Sequence, residues 1–295
     1  MARPAVDVVV PFRGNRAALA QLLGRLTSLR LEAQDTVVVV DNTPGGASDL
    51  EGGGRIRVHR AAERATPGYA RNRGVALGSA QWLVFIDADT VPAPDLLDRY
   101  FEPPPASGTV LLAGEILDQD LGANAPAVAR YAYLRGALSQ SRSLGRGFAQ
   151  TANLACRRSA FEAVGGFRED IRAAEDADLT FRLRAARGEL ERRPAASVVH
   201  VSRSRLGLLV VQALRHGAGA GWLDREYPGS FPGHRSRLGL AWWAARTWGR
   251  AAIAIAGRRE RDELLQLLLD PVWELSFELG RSLPNGRPRS RGRGR

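Results

Sequence analysis

Four short apolar runs, each stopping at a polar cluster, constrain this chain more than any other feature: Val6 to Val10, Val37 to Val40, Ile56 to His59 and Trp82 to Ile86. Runs this short and this rich in β-branched residues read as strands, and Val6 to Val10 reads as a buried one. Between them lie helical stretches, Ala17 to Leu29 with apolar residues at Leu19, Leu22, Leu23 and Leu26, and Gly68 to Leu77. This alternation predicts an α/β fold, a mainly parallel sheet covered by helices. Such sheets bind ligands at the carboxyl ends of their strands. Asp41 ends the second run and Asp87-Ala88-Asp89 the fourth. Farther on, Val110 to Ile116, Asn153 to Cys156 and Ser197 to Val201 read as strands, Val128 to Leu138 and Asp178 to Arg187 as helices, and Gly145 to Gly147 as a turn. Residues 206 to 280 then read as two or three helices, and Asn285 to Arg295 as a Gly/Pro/Arg tail too polar to fold. The expected division is a catalytic domain over 1–202, a helical region over 203–280 and a disordered tail over 281–295.

The 42 basic residues are all arginine, which removes a P-loop, a kinase-type lysine and a pyridoxal Schiff base. The single cysteine, Cys156, permits no intramolecular disulfide and no multi-cysteine metal site, and fits a reducing, cytoplasmic location. No leader is visible, and Leu238 to Gly257, the most apolar long stretch, has Arg246 and Arg250 near its centre, against its spanning a membrane. The net charge of +11 is uneven: residues 1–202 carry 25 Arg and 23 acids, residues 203–295 carry 17 Arg and 8 acids. The basic third should face something anionic, a lipid headgroup or a nucleic acid.

The polar clusters form a series in fixed order. Pro11-Phe12-Arg13-Gly14-Asn15, Asp41-Asn42-Thr43, Gly68-Tyr69-Ala70-Arg71-Asn72-Arg73-Gly74 and Asp87-Ala88-Asp89 come first. Asn153-Leu154-Ala155-Cys156-Arg157-Arg158, Val164-Gly165-Gly166-Phe167 and Glu175-Asp176-Ala177-Asp178-Leu179 follow. Two carboxylates one residue apart in a turn can both address one hard divalent cation, although Asp also ends strands in ordinary turns. Over about residues 5 to 202 the series resembles the family 2 glycosyltransferases, which have the GT-A nucleotide-diphospho-sugar transferase fold.

The resemblance implies a Rossmann-like, mixed, mainly parallel sheet flanked by helices, with a helical C-terminal extension. It also implies inverting transfer of a sugar from a nucleoside diphosphate to a hydroxyl acceptor: a glycan, a lipid-linked intermediate or a natural product. By the same resemblance Asp41 recognises the base. A carboxylate suits the imide N–H of uracil or thymine, so UDP or dTDP donors are expected before GDP. Arg71 would hold the nucleotide or its diphosphate with its guanidinium fork, and Pro11, Arg13 and Asn153 would line the same site. Asp89 would bind Mg2+ or Mn2+ directly, Asp87 ribose or metal-bound water, and His200 would be a further metal or phosphate ligand. Asp176 would be the general base, kept ionised by a helix start, with Glu175 orienting the acceptor. Each has a plainer alternative: an Asx turn for Asp41, a solvated helix residue for Arg71, a helix cap for Asp176 or Asp178, a core hydrogen bond for His200.

The chain departs from the family pattern at Asp41-Asn42, where an acid pair is usual, and at Arg13-Gly14-Asn15, where a small polar turn is usual. Gln212-Ala213-Leu214-Arg215-His216 only partly matches the Q-x-x-R-W segment of processive synthases, so non-processive addition is expected. Five of the six tryptophans lie in the basic C-terminal third. They predict a helical lid or a peripheral contact with the inner face of the cell membrane. Two rivals remain: nucleotidyl transfer on the same fold, which usually carries an N-terminal glycine-rich basic loop not found here, and an Arg-rich RNA-binding protein, which the near-neutral front half argues against.

Overall fold

The computed structural model describes residues 3–46, 52–136, 138–202 and 204–286. They group into two compact units. One comprises the chain up to Glu169 together with Glu175–Ser204; the other comprises Asp170–Ala174 and the chain from Arg205 onward.

The first unit is built on a sheet of eight strands in the order β3-β2-β1-β4-β7-β6-β8-β5. These are β1 (Val6–Phe12), β2 (Thr36–Asp41), β3 (Ile56–Arg60), β4 (Trp82–Ile86), β5 (Thr90–Pro92), β6 (Thr109–Asp118), β7 (Asn153–Arg157) and β8 (Glu189–His200). The pairs β3-β2, β2-β1, β1-β4 and β6-β8 are parallel; β4-β7, β7-β6 and β8-β5 are antiparallel. Among the described residues this unit has the helices α1 (Arg16–Leu26), α2 (Pro67–Val75), α3 (Leu96–Tyr100), α4 (Ala127–Arg135), α5 (Gln140–Gly145), α6 (Arg158–Ala163) and α7 (Glu175–Ala185). The unbroken apolar runs are explained by burial on both faces. Val6, Val8 and Val10 share one core with Leu19, Leu22 and Leu26 of α1 and Leu96 and Leu97 of α3. Val9, Leu83 and Phe85 share the other with Tyr69 and Val75 of α2, Phe161 of α6 and Leu179 and Leu183 of α7. This is the mixed, helix-flanked sheet expected of a GT-A fold.

Because β2 and β4 lie on opposite sides of β1, the chain reverses its winding there. In sheets of this kind such a reversal marks the ligand crevice, at the carboxyl ends of the strands, and Asp41 and Asp87 stand at those ends here.

Several elements differ from expectation. The helix expected from Asp178 starts at Glu175, and the one expected over Val128 to Leu138 ends at Arg135, because Gly136 takes φ 54 and closes it in a left-handed cap. The last strand is twelve residues long. Its register against β6 jumps between the Gly114–Arg193 and Glu115–Ser197 pairs. Pro194, which has no N–H to donate, lies in that bulge and hides the strand's first half from a pattern search.

In the second unit α10 (Arg261–Arg281) packs against both α8 (Leu206–Glu226) and α9 (Arg237–Ala256). Glycine in α8 serves contact here: a Cβ at Gly217 would lie 2.0 Å from the Phe277 carbonyl oxygen, and one at Gly221 2.4 Å from that of Arg281. The expectation of a disordered segment from 281 is corrected for its first residues. Arg281 closes α10 and is buried, Asn285 holds Ala173 through hydrogen bonds to and from its backbone, and Gly286 bridges Ile171. Residues 287–295 lie outside the described residues.

Candidate active site

Asp87 follows β4 directly, and the turn it opens is pinned at both ends. Thr90 donates its N–H and its hydroxyl to the Asp87 carbonyl (3.1 and 2.8 Å), and Val201 donates its N–H to the Asp89 carbonyl (2.8 Å). The two carboxylates are thereby fixed at the strand end with 35% and 41% of their side chains exposed.

Beside this turn Arg71 of α2 is buried, with 3% of its side chain exposed. Its Nη2 donates to Asp87 Oδ1 at 2.6 Å and its Nη1 to Glu175 Oε1 at 2.9 Å, while its ring-like fork lies 5.5 Å from the centre of the Phe167 ring. Residues 71, 87 and 175 come from three separate motifs, and one guanidinium ties them together. The fork expected to hold the nucleotide or its diphosphate is here occupied by two carboxylates. Only Nε lacks a partner among the described residues.

Asn72, the next residue, does a different task. It donates to the Phe167 carbonyl and to Glu169 Oε1 and accepts from the Phe167 N–H. This holds the Gly165-Gly166 turn, where both glycines take positive φ, against α2.

Glu175 and Asp176 open α7. Asp178 is turned away and fully buried, paired with Arg168 (3.1 Å) and with Arg182 (2.6 Å), so it is a structural carboxylate. Asp176 is partly exposed, accepts from the Ala177 N–H at 2.8 Å, and has its carboxyl pushed up to about 7, first by burial and then by the charge of Glu175. Arg71 and the helix N–H pull the other way without prevailing. The helix start favours the ionised carboxylate, as expected of Asp176, and burial and a like charge act against it.

His200 ends β8, paired across from Thr90. Its Nδ1 lies 3.2 Å from Asp118 Oδ1 and its Nε2 3.6 Å from Asp89 Oδ2. Burial alone would lower its pKa, but the hydrogen bonds and charges of Asp118 and Asp89 hold it up at about 9. Asp118 was missed in the sequence because β6 runs two residues past its expected end; a carboxylate closing a strand was the available signal. Among the described residues no group of three or more His, Cys, Asp or Glu side chains is arranged to hold a metal ion.

The remaining residues divide. Asp41 is buried at the end of β2, and its Oδ1 accepts from the Thr43 N–H at 3.0 Å, so the Asx turn is formed. Asn42 donates to the carbonyls of Ala61 (2.5 Å) and Arg64 (2.6 Å). A second acid there would set a carboxylate against two carbonyl oxygens, which accounts for Asn at a position where the family pattern has an acid. Thr43 clasps Gly14 of the β1 turn. Pro11 lies within β1, half-buried, and Arg13 is exposed just beyond it. Asn153 does not face the crevice as expected. It is buried, its amide bonds the carbonyls of Glu115 (2.8 Å) and Ala196 (2.9 Å), and its oxygen accepts from the Tyr100 hydroxyl at 2.6 Å.

The family described as Glycosyl transferase family 2 matches residues 7–165, a segment that contains Asp41, Arg71, Asp87 and Asp89 and stops short of Glu175. The pre-mycofactocin glycosyltransferase of Mycobacterium tuberculosis, in two strains, is 31% identical over 244 residues, 76% of this chain and 48% of its own length. The chain thus spans about half the length of the curated relatives it matches. Among solved structures, the mannosyltransferase PcManGT from Pyrobaculum calidifontis, in complex with GDP-Man and Mn2+, superimposes with a TM-score of 0.61 at 17% identity. The match covers 94% of this chain and 87% of that one. The likeness is one of fold, and with the sequence matches it leads to one conclusion: the chain belongs to glycosyltransferase family 2.

Proposed function

We propose that this protein is an inverting, metal-dependent, non-processive glycosyltransferase that moves a sugar from a nucleoside diphosphate to an acceptor hydroxyl. The observation that carries this reading is the Arg71 bridge, which links the Asp87-Ala88-Asp89 turn to the Glu175-Asp176 helix start. A donor-side carboxylate pair and a carboxylate poised near neutrality are then parts of one constellation.

Asp176 is the general base. With a pKa of about 7 it is half ionised at neutral pH, and it accepts the acceptor's proton as that oxygen bonds to the anomeric carbon. The bond from that carbon to the diphosphate oxygen breaks on the opposite face, so configuration inverts. Glu175, fixed by Arg71, raises the basicity of its neighbour and orients the acceptor. Arg71 acts as a positioning residue for both sides.

A divalent cation is read from Asp89 and His200, and not from a ready-made cluster of three ligands. Asp89 offers a half-exposed hard oxygen, and the 3.2 Å contact of Asp118 with Nδ1 orients His200 so that Nε2 faces Asp89. Asp89, with His200 turned toward it, would hold Mg2+ or Mn2+, and the ion would supply charge neutralisation to the departing diphosphate. Support for a nucleotide-sugar donor comes from the family and from the neighbour solved with GDP-Man and Mn2+. The base is read from Asp41, whose acceptor oxygens favour UDP or dTDP. The rival readings of nucleotidyl transfer and of an RNA-binding protein find no support in these relatives.

The test is calorimetric titration with UDP, dTDP and GDP in Mn2+ and then in EDTA, on the wild type and Asp89→Ala. The expected result is binding of one nucleotide that needs the metal and is lost in the variant. Binding that is indifferent to both EDTA and Asp89→Ala would remove the metal from the proposal, and no binding under any condition would remove the donor site.

A further inference from the structure

Helix α9 has two apolar faces, and one of them is uncovered. Leu240, Ala244, Thr247, Ala251 and Ala254 form its buried stripe, with Ala251 and Ala254 against Leu267 of α10. On the other side Leu238, Trp242 and Ile253 are 86%, 64% and 74% exposed. At 3.6 residues per turn these three fall within about 60° of one another and nearly opposite the buried stripe. Only alanine and glycine stand between them, at 241, 245, 249, 252 and 256. Arg246 and Arg250 flank this face on one side and Arg237 on the other, all exposed. From residue 227 to residue 259 there are six arginines and no acid.

We infer that the outer face of α9 is an interfacial anchor that seats on an anionic phospholipid surface, with the helix lying in the plane of the headgroups. The argument does not depend on the reading of the transfer site. An exposed face of Leu, Trp and Ile flanked along its own helix by arginines and by no acid matches a layer whose outer part is anionic and whose inner part is hydrocarbon. The arginine stems lie along apolar surface while their heads reach phosphate, and Arg246 already lies 5.3 Å from the centre of the Trp242 ring. No described helix is long and apolar enough to cross a membrane, so insertion in the plane is the geometry left to α9.

Charge decides against the other occupants. A second copy docked through the same face would bring two sets of arginines together with no acid in this stretch to match them. Nucleic acid would meet Leu238, Trp242 and Ile253 at the centre of the face, where only the indole N–H can donate a hydrogen bond to a base or phosphate.

The test is co-sedimentation of the full chain with vesicles of phosphatidylcholine alone and of phosphatidylcholine mixed with phosphatidylglycerol. A parallel measurement follows quenching of tryptophan fluorescence by lipids brominated on their acyl chains. Binding to the mixed vesicles with quenching is expected, and little binding to phosphatidylcholine. Trp242→Asp with Ile253→Asp should lower partitioning by about tenfold or more, since it removes buried apolar area and adds like charge to an anionic surface. Arg246→Gln with Arg250→Gln should lower it by about thirtyfold, at roughly 1 kcal/mol per arginine.

Absence of binding to either vesicle overturns the inference. So does binding that the Asp pair leaves unchanged, which would place the contact in the arginines of 287–295. A dimer in solution that the Asp pair dissolves would assign the face to a second copy instead. If the Asp pair fails to fold, the Arg pair and the quenching of the wild type decide, and unquenched tryptophan overturns the anchor.

Discussion

In the sheet unit the guanidinium of Arg71 is almost wholly removed from water and held by Asp87 and Glu175, and Arg158 is tied to the buried Asp7 at 2.6 Å in the same manner. In α9 of the helical unit Arg237, Arg246 and Arg250 stand exposed in a stretch without a single acid. The same side chain thus closes the interior of one unit and offers the surface of the other to an anionic partner. Net charge records only the second use, because a buried pair cancels in the sum. Removing an arginine in the first setting strands carboxylates in a poor dielectric, whereas in the second it removes only a solvated charge.

The contrast is broken most directly at Arg71. Arg71→Met leaves Asp87 and the buried Glu175 without their shared cation, and the expected loss is about 3–5 kcal/mol in a denaturant titration, with transfer abolished. Arg71→Lys should rescue only part of this, because one ammonium cannot reproduce two forked contacts. Full rescue of stability and activity by lysine would show that charge alone, and not the bridge, organises the site.

Asp176 sharpens the comparison, since it is the carboxylate that the bridge leaves without a full partner. Asp176→Asn should lower kcat by about 10²- to 10⁴-fold while nucleotide affinity is kept. In the wild type, activity should rise with pH through about 7, as the base loses its proton, and the variant's residual rate should lack that limb. Stability should move the opposite way. A carboxyl whose folded pKa lies above its ordinary 3.8 stabilises the fold fully only below that value, and the contribution fades as pH rises through about 7. The stability of Asp176→Asn relative to wild type should therefore climb between those pH values and then level off. A flat difference across that window would mean that the carboxyl is not perturbed.

Much of the sheet was legible because its strands are buried on both faces and leave unbroken apolar runs: Trp82–Ile86 matches its expected bounds, and Asp41 and Asp87 stand where strand ends were read. β8 was half hidden because its bulge at Pro194 and its charged first half, Glu189 to Arg193, have no apolar period. The short α3 and α6 were missed because five or six residues hold too few turns to show one. Within the site, residue types pointed to the right neighbourhood but not to how its hydrogen bonds are spent. Asn153 and Arg71 look equally suited to a ligand in sequence, yet one is consumed by the sheet and the other by two acids. Only the partners reveal this, and they lie 38 or more residues away from Asn153 and 104 away from Arg71 at the farthest.

Asn42 offers a smaller break, in a setting where burial matters and net charge does not. Its two donors satisfy the carbonyls of Ala61 and Arg64, so Asn42→Asp should cost about 1–3 kcal/mol by leaving buried acceptors opposed. Protonation gives the aspartate a donor, so acidification should return part of that loss. A neutral outcome at pH 7 would mean that the loop after β3 rearranges at little cost and that the usual acid pair is compatible with this fold.

The smallest effect belongs to α9. Arg246→Gln removes an exposed charge that lies over the Trp242 ring, a contact worth about 0.5–1 kcal/mol at an exposed site, and glutamine is as good a helix former as arginine. Stability in denaturant should then change by no more than about 1 kcal/mol. Increasing salt should leave even that small difference nearly unchanged, since no acid of this stretch stands opposite to be screened. A loss as large as that at Arg71 would show that the guanidinium supports the helix pair from within. The two units would then use arginine alike, and the outer face of α9 would lose the cationic rim on which its attraction to an anionic surface depends.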